Sequence, residues 1–161
     1  MASPARVQAE PLPKIDDRYA CFPLRVFRSK IHRWGIKALS DIPANRKVIE
    51  YTGERINRKE TKRRADSTEL HYLFTLDSYW ALDGTVGGSG AQYINHSCDP
   101  NVRAVIQKGH INYYSARAIK KGEELLIDYH FDPDVEKVEC KCGAKICRGT
   151  INLKKESKRK K

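Results

Sequence analysis

Three cysteines lie close together in residues 140–147 of this 161-residue chain, in the pattern C-x-C-x4-C. The full sequence has five cysteines, and an odd number argues against a complete set of disulfides. Clustered thiols in an intracellular chain are more typical of metal ligands. Zinc prefers four ligands in a tetrahedron, so three cysteines leave one position for a distant residue. The cluster therefore predicts that folding ties this segment to another part of the chain.

The distant ligand is expected to be Cys98, provided that the fold brings residues 95–101 next to the cluster. A histidine could take the same position, and the two candidates are His96 and His130. A loop of reduced cysteines without a metal also remains possible. Cys21 stands apart in the sequence, and we expect it to be a small buried hydrophobic side chain.

The chain carries 31 basic and 20 acidic residues, a formal net charge of +11. Basic residues are concentrated in residues 58–64 (RKETKRR) and 154–161 (KKESKRKK). Such runs attract nucleic acid with little sequence preference, although each could equally be a solvated surface. The tail could also be a nuclear localisation signal if the organism has a nucleus.

No stretch of the sequence has the roughly 18 apolar residues of a membrane helix. The segment Met1–Pro13 has no apolar core of a secretory signal, so it is expected to be a flexible leader of an intracellular protein. Alternating apolar residues predict many short strands, Arg58–Ser67 predicts an exposed helix, and four glycines predict a loop at Gly84–Gly90. The fold class is therefore mostly β (α+β). The predicted strands are Leu24–Phe27, Lys47–Tyr51, His71–Leu76, Val102–Gln107, Ile111–Ser115 and Glu124–Ile127.

Two longer motifs are far more specific than composition. Tyr93–Asn101 reads YINHSCDPN, and Gly122–Tyr129 reads GEELLIDY. Together they closely resemble the two signature segments of SET-domain protein-lysine methyltransferases. SKIHRWG at Ser29–Gly35, EYTGE at Glu50–Glu54 and the cysteine cluster follow the order of that family, so the resemblance covers roughly residues 24–151.

The resemblance implies a SET-domain β-clip fold of short sheets with a threaded pseudoknot, in which the NHSC segment passes beneath the loop leading to Tyr129. It also implies a zinc-bound post-SET segment at the cysteine cluster. No cysteine-rich pre-SET segment is expected. The implied organisation is a flexible leader (1–20), a SET domain (21–133), a post-SET zinc segment (134–153) and a basic disordered tail (154–161).

The family transfers a methyl group from S-adenosylmethionine to a lysine side chain of a protein, and the resemblance implies this activity here. Any one of the implied aromatic site residues could instead belong to a strand core. The implied catalytic and channel residues are Tyr129, Tyr51, Phe74 and Ile127. The implied cofactor-binding residues are Arg33, Trp34, Tyr72, Asn95 and His96. The implied zinc ligands are Cys98, Cys140, Cys142 and Cys147.

Three positions depart from the family pattern. Arg33 stands where the family usually has the first glycine of GWG, and it could point outward or alter cofactor affinity. Gln92 replaces an arginine. Ile127 stands where many relatives carry Phe or Tyr, and its smaller side chain without a hydroxyl predicts room for di- or trimethylation.

The expected partner is a protein substrate with a lysine-bearing tail, histone-like or associated with nucleic acid. Non-specific contact with nucleic acid through the basic runs is a further expectation, and the chain is expected to be a monomer or homodimer that does not enter a membrane. The implied location is the nucleus and chromatin in a eukaryote, or the cytoplasm and nucleoid in a prokaryote. The alternatives are a non-catalytic SET-like scaffold that binds nucleic acid or protein partners, and a small zinc-binding adaptor.

Overall fold

The computed structural model describes residues 11–67 and 72–156. This part of the chain forms short strands, one α-helix and one turn of 3-10 helix, so the prediction of a mostly β fold is confirmed. The helix α1 is Arg58–Ser67, as predicted, and the 3-10 turn is Ala91–Tyr93. The strands are β1 Leu24–Arg28, β2 Trp34–Ala38, β3 Lys47–Tyr51, β4 Glu54–Asn57, β5 Leu73–Thr75, β6 Trp80–Asp83, β7 Asn95–His96, β8 Val102–Gln107, β9 His110–Ser115 and β10 Leu126–Ile127.

The described strands make three small sheets. β1 and β2 form an antiparallel pair, and β4, β6 and β5 form a three-stranded sheet in that order. The largest sheet has the order β3-β9-β8-β10-β7. Its first three strands are antiparallel, whereas β10 runs parallel to both of its neighbours.

The hairpin of β8 and β9 shows how local sequence fixes the register. Gln107 pairs with His110, so Lys108 and Gly109 alone make the turn. Their φ angles are 50° and 80°, and two successive positive φ angles match the right-handed twist of hairpin strands. The strands predicted at Val102–Gln107 and Ile111–Ser115 are confirmed, and His110 extends the second by one residue.

The pairing of β7 with β10 brings the two sequence motifs together. Ser97 donates its backbone N–H to the carbonyl of Ile127 at 3.0 Å, and Asn101 donates its own to Leu126 at 3.0 Å. The side chain of Asn101, 2% exposed, also accepts from the N–H of Leu126 and donates to the carbonyl of Glu124, both at 2.8 Å. Residues 95–101 are therefore fixed against residues 124–127 along their length.

One hydrophobic core joins the sheets. Its completely buried members come from β2, β3, β8, β9 and the loops beside them: Ile36, Val48, Ile49, Val102, Ile111, Ile119 and Leu125. Two residues of the expected leader pack against this core, Ile15 and Ala20, and Ala20 pairs with Ile49. Residues 1–10 and 157–161, which belong to the expected leader and tail, lie outside the described residues, and the boundaries between the four expected segments stay predictions.

Several local expectations differ from the structure. The strands β2, β4, β6 and β7 were not expected, because each has at most five residues and includes at least one polar or charged residue. The expected strand Glu124–Ile127 shortens to Leu126–Ile127, since Glu124 makes only an isolated bridge with Lys37. The expected strand at 71–76 is Leu73–Thr75, and His71 lies outside the described residues. Cys21 is exposed, so the expectation that it is buried was wrong.

α1 has no buried residue among those described. It is held to the three-stranded sheet by Arg64, whose guanidinium reaches Asp83 of β6 at 2.6 Å and Glu54 of β4 at 2.7 Å. Within residues 11–67 and 72–156, no helix has the length and apolar character needed to cross a membrane.

Candidate active site

Four cysteine sulfurs converge at one point of the described structure. The Sγ atoms of Cys98, Cys140, Cys142 and Cys147 all lie within 4.8 Å of one another. Cys98 Sγ is 3.7 Å from Cys140 Sγ and 4.0 Å from Cys147 Sγ. A tetrahedral zinc ion with Zn–S bonds of about 2.3 Å needs sulfurs separated by about 3.8 Å. The four thiols therefore have the spacing of a zinc site, and neither His96 nor His130 belongs to this converging set.

The thiols differ in their readiness to ionise. Burial raises the pKa of Cys140 to about 12 and also raises the pKa of Cys98. Burial opposes ionisation of Cys142 as well, but hydrogen bonds from the backbone at Cys98 and Ala144 and from neighbouring thiols lower its pKa to about 6. A metal cation adds positive charge that favours the thiolate form of every ligand. Cys142 is thus the thiol best prepared to begin metal binding.

Asn95 fixes the backbone around Trp34. Its Nδ2 donates to the carbonyl of Trp34 at 2.8 Å and to Glu124 Oε1 at 3.0 Å. Trp34 is only 6% exposed, and the guanidinium of Arg28 lies 3.8 Å from the centre of its ring. The side chain of Asn95 thus connects β7 to the start of β2.

Glu124 is a residue of this site that we did not single out from the sequence. Its Oε1 also accepts a hydrogen bond from Ser29 Oγ at 2.7 Å. A Cβ on Gly35 would lie 2.3 Å from the same oxygen, so only glycine leaves room for the carboxylate here. The signal was available, because Glu124 is part of the GEELLIDY motif and Gly35 of the RWG motif.

Arg33 has an unusual backbone conformation, with φ at 24°. Side chains with a Cβ rarely adopt positive φ, whereas glycine does so readily. The side chain of Arg33 is exposed and its carbonyl accepts the N–H of Ser29 at 3.2 Å. Arg33 is therefore accessible to solvent, and an effect on cofactor affinity stays a prediction.

His96 connects the cysteine cluster to Tyr129. It is 4% exposed, its Nδ1 accepts the backbone N–H of Tyr129 at 3.1 Å, and its Nε2 lies 3.5 Å from Cys98 Sγ. Burial lowers the pKa of His96, which keeps the ring neutral at pH 7. The hydrogen-bond network then assigns the proton to Nε2, facing the sulfur.

Two tyrosine hydroxyls are held by backbone carbonyls. Tyr129 Oη donates to the carbonyl of Ile94 at 2.8 Å, and Tyr51 Oη donates to the carbonyl of Tyr72. Burial raises the pKa of both tyrosines, and the charge of Tyr129 adds to the effect on Tyr51. Both hydroxyls therefore stay protonated at neutral pH and act as hydrogen-bond donors, not bases.

Aromatic rings surround the hydroxyl of Tyr51. The ring of Phe74 lies 5.3 Å from that of Tyr51, and the ring of Tyr113 lies 6.1 Å from each of them. Tyr72 meets Tyr93 edge-on at 5.4 Å, and the ring of Tyr129 lies 5.4 Å from His96. The sequence identified Tyr51, Tyr72, Phe74 and Tyr129 but missed Tyr93 and Tyr113. Tyr113 gave no separate signal, because an inward aromatic of a hairpin strand looks like any core residue.

Comparison with known proteins gives the family. The family model described as the SET domain matches residues 33–130. The chain belongs to the SET-domain family. This match includes the paired strands β7 and β10, both tyrosines held by carbonyls, and Cys98, whereas the cysteines at 140–147 lie beyond it.

Relatives of this SET domain include proteins named as histone-lysine N-methyltransferases. Set-2 of Caenorhabditis elegans is 38% identical over 138 residues, which are 80% of this chain and 9% of that protein. Trithorax of Drosophila virilis is 42% identical over 135 residues, 79% of this chain and 4% of that protein. The H3 lysine-4 specific enzyme of Saccharomyces cerevisiae is 39% identical over 142 residues, which are 81% of this chain and 13% of that protein. The chain thus spans only a small part of each relative.

Two residues that depart from the SET pattern, Gln92 and Ile127, have defined contacts in the structure. Gln92 accepts the backbone N–H of Gly90 at 2.8 Å through Oε1, and its side chain also packs against Gly84 and Gly88. It therefore holds the glycine loop before the NHSC segment. Ile127 is 4% exposed in β10, where it pairs with His96 and Val102.

Proposed function

We propose that this SET domain is a protein-lysine N-methyltransferase that takes its methyl group from S-adenosylmethionine. The supporting observation is the pair of tyrosines, Tyr51 and Tyr129, whose hydroxyls each donate to a backbone carbonyl, with the ring of Phe74 beside the first and the buried His96 beside the second. Membership of the SET family and the names of relatives about 40% identical support the same activity.

The donor, when bound, supplies a methyl group on a positively charged sulfur that needs no further activation. Trp34, Tyr72, Asn95 and His96 are the residues proposed to hold it, together with the backbone at Arg33. The hydrogen bonds of Asn95 to Trp34 and Glu124 fix the chain on which such a ligand would rest. Rigid positioning matters because alignment of the reacting atoms is a large part of the work in such a transfer.

The aromatic residues Tyr51, Phe74 and Tyr129 are proposed to line the lysine channel. Enclosure by apolar rings disfavours the charged ammonium, so it lowers the pKa of an entering lysine. The ammonium releases a proton to solvent, the amine nitrogen forms the new bond to the methyl carbon, and the carbon–sulfur bond breaks. The tyrosine hydroxyls keep their protons throughout and orient the amine, because burial raises their pKa.

Zinc is proposed as the structural metal of the four-cysteine site. Its ligands would tie the C-terminal segment to Cys98, two positions from His96. Since His96 accepts the N–H of Tyr129, ordering of the metal segment and placement of Tyr129 would be linked. This gives the metal a role in shaping the site without any part in methyl transfer.

The side chain at Ile127 bears on the product, and the net charge of the chain bears on the substrate. Ile127 has no hydroxyl to hold a water molecule beside the amine, which favours di- or trimethylation. Histones, or other proteins associated with nucleic acid, are the proposed substrates, in chromatin if the organism is eukaryotic. The net charge of +11 suits a substrate presented on a polyanion.

The test combines binding and turnover. The full chain should bind labelled S-adenosylmethionine and transfer label to histones, and mass spectrometry after exhaustive turnover should show di- or trimethyl-lysine. Tyr129→Phe should keep cofactor binding and lose most turnover, whereas His96→Ala should lose binding. Tyr114→Phe, at a partly buried tyrosine of β9, is the matched control. Cofactor binding without turnover on any histone or lysate protein would contradict the proposal and favour a scaffold.

A further inference from the structure

A groove of about 620 Å³ opens between α1 and the β5–β6 hairpin. Its walls include Lys59 and Lys62 of the helix and Thr75, Tyr79 and Ala81 of the hairpin. Thr75 pairs with Ala81, and their neighbours Phe74 and Leu82 also pair. Both Trp80 and Ala81 of β6 border the groove, whereas Phe74 is not among its lining residues.

The helix divides its basic residues into two groups. Arg63 pairs with Glu60 at 2.7 Å, and Arg64 pairs with Glu60 and, as described above, with Glu54 and Asp83, so these two charges are neutralised locally. Arg58, Lys59 and Lys62 border the groove and are exposed. Arg58 Nη1 donates to the carbonyl of Ser78 at 2.9 Å, and none of the three makes an ion pair with a described residue. This side of the helix therefore presents uncompensated positive charge along the groove.

The hairpin adds little negative charge to this surface. Asp77 is the one carboxylate among the groove residues, and its Oδ1 accepts the backbone N–H groups of Tyr79 at 2.8 Å and Trp80 at 2.7 Å. These two hydrogen bonds lower the pKa of Asp77, and the nearby positive charge of Arg55 lowers it further. The carboxylate of Asp77 is thus engaged by backbone N–H groups in the turn of the hairpin.

The aromatic rings of the hairpin stand beside these cations. Tyr79 is 53% exposed, and its ring meets Trp80 edge-on at 4.8 Å and 84°. The guanidinium of Arg55 lies 4.5 Å from the centre of the Trp80 ring. An exposed ring held in place by a neighbouring ring is a surface on which a nucleic-acid base can stack.

We propose that this groove binds single-stranded nucleic acid without strong sequence preference. Arg58, Lys59 and Lys62 contact phosphates, and Tyr79 stacks on an unpaired base. Positive grooves with interleaved aromatic rings are the general means by which proteins hold single strands. A duplex keeps its bases stacked inside and would use only the cations, and an acidic peptide has no base for Tyr79.

The test measures binding of the full zinc-loaded chain to labelled 20-nucleotide oligothymidine, by fluorescence anisotropy at several salt concentrations. Oligouridine of the same length and a duplex are the comparison ligands. Lys59→Glu with Lys62→Glu should weaken single-strand binding at least tenfold and reduce the salt slope. Tyr79→Ala should weaken single-strand binding about fivefold or more, with little effect on the duplex. Whichever of oligothymidine and oligouridine binds with higher affinity identifies the preferred nucleic acid as DNA or RNA.

The matched control is Lys108→Glu with Lys121→Glu, an equal change of net charge at exposed lysines away from the groove. An equal loss of affinity in this control would overturn the proposal, because binding would then reflect overall charge. A Tyr79→Ala variant that weakens duplex and single strand alike would also overturn it, as would unchanged affinity in the lysine variant. Circular dichroism and zinc content verify the folding of each variant, and the result does not depend on methyl transfer.

Discussion

Arg148 holds both carboxylate oxygens of Asp128: Nη1 is 2.6 Å from Oδ2 and Nη2 is 3.0 Å from Oδ1. Asp128 precedes Tyr129, and Arg148 follows Cys147 in the cysteine segment. The backbone N–H of Arg148 also donates to Cys98 Sγ at 3.4 Å. One arginine thus joins the candidate metal site to the segment that carries the proposed catalytic tyrosine.

Arg148→Ala should lower the free energy of unfolding by about 3 kcal/mol, because it leaves the largely buried carboxylate of Asp128 without its cation. The loss should be accompanied by faster hydrogen exchange in residues 126–130, measured by mass spectrometry. Arg117→Ala removes an exposed ion pair with Glu123 and should cost less than about 1 kcal/mol. Equal effects of the two substitutions would refute a special role for Arg148.

Purified protein should contain one zinc ion per chain by elemental analysis. Cys142→Ser should release the zinc and make residues 140–147 sensitive to protease, because none of these residues is buried and the ion pair of Arg148 with Asp128 holds only the residues that follow them. Cys21→Ser changes an exposed cysteine away from the cluster, so its zinc content should match that of the unchanged chain. Retention of zinc by the Cys142 variant would show that another ligand set is used.

Arg33→Gly should stabilise the chain by about 0.5 to 1 kcal/mol, since it relieves the positive φ of Arg33. A higher midpoint of thermal unfolding, by roughly 2 °C or more, is the expected result. Lys30→Gly is the control, because Lys30 is exposed in the same turn and its φ is not positive. A drop in the midpoint for the Arg33 variant would show that the contacts of its side chain outweigh the strain.

The rate of methyl transfer should rise with pH up to about 9.5 without a falling limb. Deprotonation of the substrate lysine produces the rise, since free lysine has a pKa of about 10.4. Burial raises the pKa of Tyr51 and Tyr129 above the ordinary value of about 10, so neither hydroxyl ionises in this range. A decline between pH 8 and 9, in protein that circular dichroism shows to be folded, would contradict this assignment.

Local chemistry explains the elements that could be predicted from sequence. The turn at Lys108 and Gly109 is set by its own backbone, and α1 follows from a run of helix-forming residues without a competing apolar pattern. The NHSC motif also led correctly to the family. In each case the information lies in a few adjacent residues or in a motif with few alternative meanings.

Contacts between distant segments explain what could not be predicted. β7 is a two-residue strand that exists because it pairs with β10, and it has no periodic pattern long enough to detect. Glu124 matters through its approach to Gly35 and Asn95, which only the folded chain reveals. Tyr113 likewise joins the aromatic site through the register of β9 with β3.

The order of the four cysteines along the chain has a consequence for synthesis. Cys98 precedes Cys140 by 42 positions, so at ordinary translation rates it leaves the ribosome roughly 2 to 8 s earlier. During that interval a zinc ion would find only one thiol of its set. Cys147 emerges after every strand described above, so all four thiols can enclose the ion only after those strands have been synthesised. Metal binding would therefore occur late in synthesis, and only in a nascent chain whose four cysteines have been brought together.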